Sequence, residues 1–119
     1  MSAIRVSIRW TETARNGLAK LPYRVRRGLI EKADRLLESD DPESSLKALV
    51  GPLHGYYTMP YSRYRAICKI EKEELADGQV LLTITITFVA TGIRKDGDKR
   101  DVYRVAQRLL DLGMLEPDE

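Results

Sequence analysis

Histidine and cysteine are almost missing from this sequence: His54 and Cys68 are the only ones among 119 residues. A lone cysteine closes no internal disulfide, which fits a reducing compartment. One histidine with one cysteine makes neither a transition-metal cluster nor a cysteine–histidine site of ordinary pattern, so no cofactor or metal is expected. Long apolar runs are also absent. Nothing approaches the ~20 residues of a membrane span, and the opening Met1-Ser2-Ala3-Ile4-Arg5 lacks the apolar stretch of a secretory signal. A cytoplasmic protein without a membrane partner is expected. Eight glycines and five prolines are too few for collagen-like or low-complexity chains, and 43% hydrophobic residues are too many for a disordered one. Gly92 and Gly97 fit neither nucleotide-loop fingerprint. The carboxylates fall in turns and tails, which leaves a paired-acid hydrolase unsupported.

What is present suits one compact domain, 1–119, that buries roughly two-thirds of its unfolded surface. The net charge is only +2, but its distribution is uneven. Arg5, Arg9, Arg15, Lys20, Arg24, Arg26, Arg27, Lys32 and Arg35 outnumber Glu12, Glu31, Asp34 and Glu38 in the first third. Arg94, Lys95, Lys99, Arg100, Arg104 and Arg108 form a second basic group. Such local positive surfaces suit a phosphate-bearing partner, and a salt-bridged exterior accounts for them equally.

Ile4, Val6, Ile8 and Trp10 alternate with polar residues, the period of a half-buried strand. Thr11 caps a short helix with Ala14, Leu18 and Leu21 on one side, ended by Pro22. Val25, Leu29, Ala33 and Leu36 recur at helical spacing to about Glu38, completing a hairpin. Residues 46–53 are a short apolar stretch. Residues 56–61 and 63–71 read as strands joined by a turn near Ser62, with Pro60 at an edge or bulge. A short turn pairs Pro60 with Arg65 and Thr58 with Ile67, placing Tyr56 and Thr58 on the face of Arg65. An Ala-Asp-Gly turn leads into a strand over 80–90 whose Leu82, Ile84, Ile86 and Phe88 face the core. Thr83, Thr85 and Thr87 then continue an open surface, and Gly92 ends the strand. A loop over 95–99 precedes a helix with Val102, Val105, Ala106, Leu109 and Leu112 inward and Gly113 as its stop. The expected fold is α+β: a first strand and helical hairpin packed on a largely antiparallel sheet of about four strands, then a C-terminal helix. Residues 113–119 are expected to form a flexible tail.

Arg65 in a strand, Arg94 past the next strand's end and Tyr103 at the start of the last helix form the candidate site. Its sequence setting resembles the RelE/ParE toxin superfamily of toxin–antitoxin systems. The carriers are Leu46-Lys-Ala-Leu-Val-Gly51, Tyr64-Arg65-Ala-Ile, Phe88-Val-Ala-Thr-Gly92-Ile-Arg94 and Arg100-Asp-Val-Tyr103. Each is weak alone, but their order and spacing span nearly the whole chain.

The resemblance implies a toxin that, in its RelE-like branch, enters the ribosomal A site and cuts mRNA as a metal-independent endoribonuclease. A ribose 2′-hydroxyl attacks the adjacent phosphate. It implies that Arg65 binds that phosphate, that Arg94 lies near the leaving group, and that Tyr103 stacks on a base or orients the hydroxyl. RelE-like nucleases often carry two strand lysines where this chain has Tyr56 and Thr58. His54, Tyr56, Tyr57 and Lys69 are the substitute candidates for the base. Arg24, Arg26, Arg27, Lys95 and Arg100 are the expected RNA contacts. The implied partners are a cognate antitoxin, the ribosome and mRNA, with a monomeric free toxin that is oligomeric with its antitoxin. The ParE-like branch poisons DNA gyrase without cutting RNA, so a gyrase inhibitor and a decayed toxin that only binds its antitoxin are the alternatives. The absent strand lysines favour the gyrase inhibitor, and the retained arginines and tyrosine favour the nuclease.

Overall fold

The computed structural model of the protein describes residues 3–76 and 80–115. Strand β1 (Ala3–Trp10) leads into helices α1 (Glu12–Ala19) and α2 (Tyr23–Leu36). A two-residue strand β2 (Lys47–Ala48) then lies between single 3-10 turns at Pro42–Ser45 and Gly51–Leu53. Strands β3 (Tyr57–Tyr61), β4 (Tyr64–Ala76) and β5 (Val80–Ile93) and helix α3 (Val102–Asp111) complete the order. The sheet order is β1-β5-β4-β3-β2, with β1 parallel to β5 and the other pairs antiparallel. The α+β class is as expected, but the described sheet has five strands rather than about four. The extra strand, β2, is too short and too exposed to leave an alternating pattern.

The first helical pair forms as the sequence implies. The Thr11 hydroxyl accepts from the Ala14 amide at 3.1 Å and caps α1, and Pro22 stands at the cap position of α2. α2 ends at Leu36, two residues before Glu38, as the chain turns toward Pro42. Ala14, Leu29, Ala33, Leu36, Met59, Ala66, Cys68, Ile84, Ile86 and Phe88 form the core between these helices and the sheet. Trp10 stacks on its register partner Phe88, ring centroids 4.3 Å apart.

The opposite face differs from expectation. It is not wholly open, because α3 and the Gly51–Leu53 turn cover one end of it with a second core: Leu53, Tyr56, Ile67, Val89, Ala90, Val102, Ala106 and Leu115. A bulge makes this possible. Cys68 pairs with Phe88 and Ile67 with Ala90, so Val89 is the extra residue and the alternation of β5 shifts by one. Ala90 and Gly92 therefore turn to the α3 side. Gly92 does not end the strand. It lies inside β5, where a Cβ would stand 3.3 Å from Val102 Cβ, and its small size lets the first turn of α3 approach.

Two of the five inward positions expected on α3 are exposed, Val105 at 38% and Leu112 at 64%. At 3.6 residues per turn, the arc that meets the sheet runs through Leu109, Val102, Ala106, Leu110 and Tyr103, leaving Val105 and Leu112 on its flank. Residues 113–115 fold back on α3. Gly113 at φ +71° turns the chain, the Met114 amide donates to Leu109 O at 2.7 Å, and Leu115 is buried. The acidic residues 116–119 and the turn at 77–79 lie outside the described residues.

Candidate functional site

The end of the sheet where β4 begins and β5 finishes gathers the site. Arg65 pairs with Pro60 on one side and Gly92 on the other. The Arg94 amide donates to Arg63 O at 2.7 Å, extending the ladder one step past β5. Arg65 and Arg94 thus flank one hairpin end. The turn itself, Tyr61-Ser62-Arg63-Tyr64, holds Ser62 at φ +54°, in the left-handed region that a non-glycine residue seldom takes. The half-buried Arg65 guanidinium bends back over this turn. Its Nη1 donates to Ser62 O at 2.6 Å and to Tyr64 O at 2.8 Å. Arg94 is exposed.

Tyr103 stands in the first turn of α3 and packs on the second core. Its hydroxyl donates to the Thr58 hydroxyl at 3.3 Å, and Thr58 pairs with Ile67, one pleat inward from Arg65. Asp101 positions this turn. Its carboxylate, nearly buried, accepts from the Lys95 amide at 2.6 Å and from the Arg104 amide at 3.3 Å. One side chain therefore both caps α3 and fixes the loop after Arg94. A hollow of about 360 Å³ lies beside Tyr103, between the Gly51–Leu53 turn and the start of α3.

The four candidate bases do not share one place. Tyr56 is buried in the second core, while Tyr57 packs against the first. His54 is exposed at the end of the Gly51–Leu53 turn. Lys69, half-buried, pairs with Thr87 four residues along β4 from Arg65, about 13 Å at strand rise.

The expected RNA contacts form two patches. On α2, Arg24 is exposed, Arg26 lies 5.6 Å over the Tyr23 ring, and Arg27 bonds Glu31 at 3.1 Å. The hydrogen bond to Glu31 holds the Arg27 pKa above its ordinary value. In the loop before α3, Arg100 at 3.2 Å and Lys95 at 3.5 Å converge on Asp98. Hydrogen bonds from Arg100 hold the Asp98 carboxyl well below the usual carboxylate range. Two side chains that support the site were not marked as part of it by sequence reasoning, Asp101 and Lys32. An Asp one residue before an apolar-periodic helix was the available signal for the first; the second was marked only as one of the N-terminal basic group.

No family model matches the chain, and no curated protein does. Among solved structures, a chain of the toxin–antitoxin complex RelBE2 from Mycobacterium tuberculosis is 27% identical. The match covers 74% of this chain and 96% of that one, with a TM-score of 0.56. In fold the chain is similar to this RelE-type toxin–antitoxin structure. Further RelE-like matches are E. coli toxin RelE in the free state and the intact E. coli RelBE toxin–antitoxin complex. The first is 22% identical over 76% of this chain and 85% of that one, TM-score 0.47. The second is 20% identical over 75% and 96%, TM-score 0.45. Thr58 lies under Tyr103, and Tyr56 lies in the interior.

Proposed function

We propose that this chain is the toxin of a type II toxin–antitoxin system and cleaves mRNA in the ribosomal A site, with a cognate antitoxin as its partner. The similarity to the RelBE2 complex supports the toxin and its antitoxin. The observation that carries the nuclease reading is the hairpin end with Arg65 and Arg94, where, among the described residues, Arg65 is anchored only by neutral carbonyl oxygens. Such an anchor fixes a guanidinium without neutralising it, leaving its charge for a phosphate.

In the proposed reaction the ribose 2′-hydroxyl gives up its proton to a base and attacks the adjacent phosphorus. The bond to the 5′-oxygen breaks, leaving a 2′,3′-cyclic phosphate, and the departing 5′-oxygen takes up a proton to become a hydroxyl. Arg65 holds the phosphate and offsets the charge growing on its oxygens, and Arg94 stands by the departing oxygen. Tyr103, its hydroxyl held by Thr58, orients the attacking ribose or stacks on a base. His54, Tyr56 and Lys69 are tested singly as the base; the one that acts will remove the acidic-limb dependence of the pH–rate profile when substituted. Arg24, Arg26, Arg27, Lys95 and Arg100 carry the proposed contacts to ribosomal RNA.

The test is pulse expression without antitoxin, mapping of mRNA 5′ ends, and a parallel supercoiling assay. Codon-phased cuts that vanish in Arg65→Ala and Arg94→Ala are the expected result. Intact transcripts with arrested gyrase would replace this reading with that of a gyrase poison, and intact transcripts with active gyrase with that of a decayed toxin.

A further inference from the structure

Helix α2 brings a lysine to the turn that carries Arg65. The Lys32 ammonium donates to the carbonyl oxygen of Pro60, the residue paired with Arg65 across β3 and β4. Pro60 lies beyond the two positions that β2 pairs, so no further strand claims its carbonyl. Arg65 takes Ser62 O and Tyr64 O, and the Arg94 amide takes Arg63 O. Four carbonyls within five residues are thus occupied, two groups of claimants being full cations held by neutral oxygens.

The donor inventory leaves much unspent. An ammonium has three N–H groups and Lys32 uses one here; a guanidinium has five, and Arg65 uses only those on Nη1. Among the described residues, no carboxylate pairs with Lys32, Arg35, Arg63, Arg65 or Arg94. Partial burial, then the charges of Arg35 and Arg65, lower the Lys32 pKa from its ordinary value, so the groups sense one another. Uncompensated like charges around one turn are unfavourable in the free protein, and an anion between them relieves the repulsion. The Nε–Nη2 edge of a guanidinium suits two oxygens of a tetrahedral phosphate, and the compact ammonium suits another.

We propose that Lys32 is the second cation on the phosphate that Arg65 binds: α2 and β4 grip one RNA phosphodiester from either side of the β3–β4 turn. The identity of the phosphate carrier rests on the nuclease reading above; the two-cation grip does not.

The full chain is titrated with inorganic phosphate at constant ionic strength, with acetate as the carboxylate control, while NMR follows the Lys32 side-chain CH₂ next to nitrogen and the Arg65 Nε–H. Both signals are expected to saturate with one apparent Kd for phosphate and to respond less to acetate. Lys32→Gln keeps a donor for Pro60 O and removes the charge. It is expected to weaken phosphate about tenfold, the worth of one charge-assisted hydrogen bond, while Lys32→Arg retains binding. Wild-type affinity in Lys32→Gln would show a tether and overturn the assignment, as would a Lys32 signal indifferent to phosphate in the unmodified protein. The second readout needs no folded variant. If Arg65→Ala abolishes cleavage while Lys32→Gln cuts normally and binds phosphate normally, the assignment fails and the nuclease reading stands. If Lys32 and Arg65 bind phosphate together while transcripts stay intact, the nuclease reading fails and the grip stands.

Discussion

Gly17→Ala sets two effects of opposite sign against each other. Gly17 is inside α1, where alanine is favoured by about 1 kcal/mol over glycine. From sequence alone the substitution stabilises. In the structure, a Cβ at this position would overlap the carbonyl oxygen of Thr91 and lie 2.7 Å from Thr91 Oγ1. The obstacle is backbone of β5, paired with Ala66 of β4, so it cannot rotate away. Overpacking of this kind costs about 1–3 kcal/mol. The same shift pulls Thr91 Oγ1 from Ala14 O, to which it donates at 2.6 Å, a loss of about 1 kcal/mol. The costs exceed the gain, and a net destabilisation of about 1–3 kcal/mol is expected. Gly28→Ala in α2 is the internal control. Its Cβ would overlap Tyr61 Cζ and its hydroxyl oxygen, but this is the far end of a side chain that is 36% exposed and can swing outward. Its expected change is within about 1 kcal/mol of zero and more favourable than that of Gly17→Ala. Urea unfolding of the three proteins decides the matter, with Gly17→Ala expected to lower the midpoint by roughly 1 M. A Gly17→Ala protein at least as stable as wild type would refute the close approach of α1 to β5.

Asp101→Ala removes a helix cap worth about 1 kcal/mol and a charge-assisted bond from the Lys95 amide worth about 1.5–3 kcal/mol. A stability loss of about 2–4 kcal/mol in urea is expected, with Asp101→Asn intermediate. Thr58→Val deletes only the partner of the Tyr103 hydroxyl; it is expected to cost about 1 kcal/mol or less and to lower kcat more than it raises KM. Unchanged kcat would remove Tyr103 orientation from the mechanism. Burial pushes the Cys68 thiol up to about 12 from an unfolded 9.0. Between those values the unfolded chain has lost the proton that the native chain keeps, so stability falls as pH rises, by about 1.4 kcal/mol for each unit. Cys68→Ala should flatten that limb of the stability–pH curve, and an unchanged slope would place the cause elsewhere.

The alternating strands and the first two helices were legible because each has one wet face and one dry. Ile4 to Trp10 and Leu82 to Phe88 carry that contrast residue by residue, and Pro22 and Pro42 punctuate the helices. The pattern fails at Phe88-Val89-Ala90, where three apolar residues in succession hide a bulge. Without the bulge, Gly92 reads as a stop. With it, Gly92 is the gap through which Val102 approaches, and α3 closes over a surface that the threonines of β5 advertised as open.

The bulge is also what gives the site its shape. A regular β5 would turn Ala90 and Gly92 toward α1 and α2, and a side chain-free path for the first turn of α3 would face the wrong layer. Shifting the alternation by one residue lets Asp101 reach the Lys95 amide and Tyr103 reach Thr58 on the face that Arg65 shares. The pairing of Arg65 with Pro60 was legible because the turn between β3 and β4 fixed its register, whereas Arg94 and Tyr103 stood out only through the resembled motifs. Lys32 was not legible, since it arrives from a helix on the other side of the sheet and meets Arg65 only around the edge at Pro60. Helical periodicity sorts such a residue as one more exterior cation. Its placement depends on how far the hairpin extends past β2, a tertiary quantity with no local signature. The proposed second cation is therefore found in the carbonyl it holds, rather than in the spacing of the residues around it.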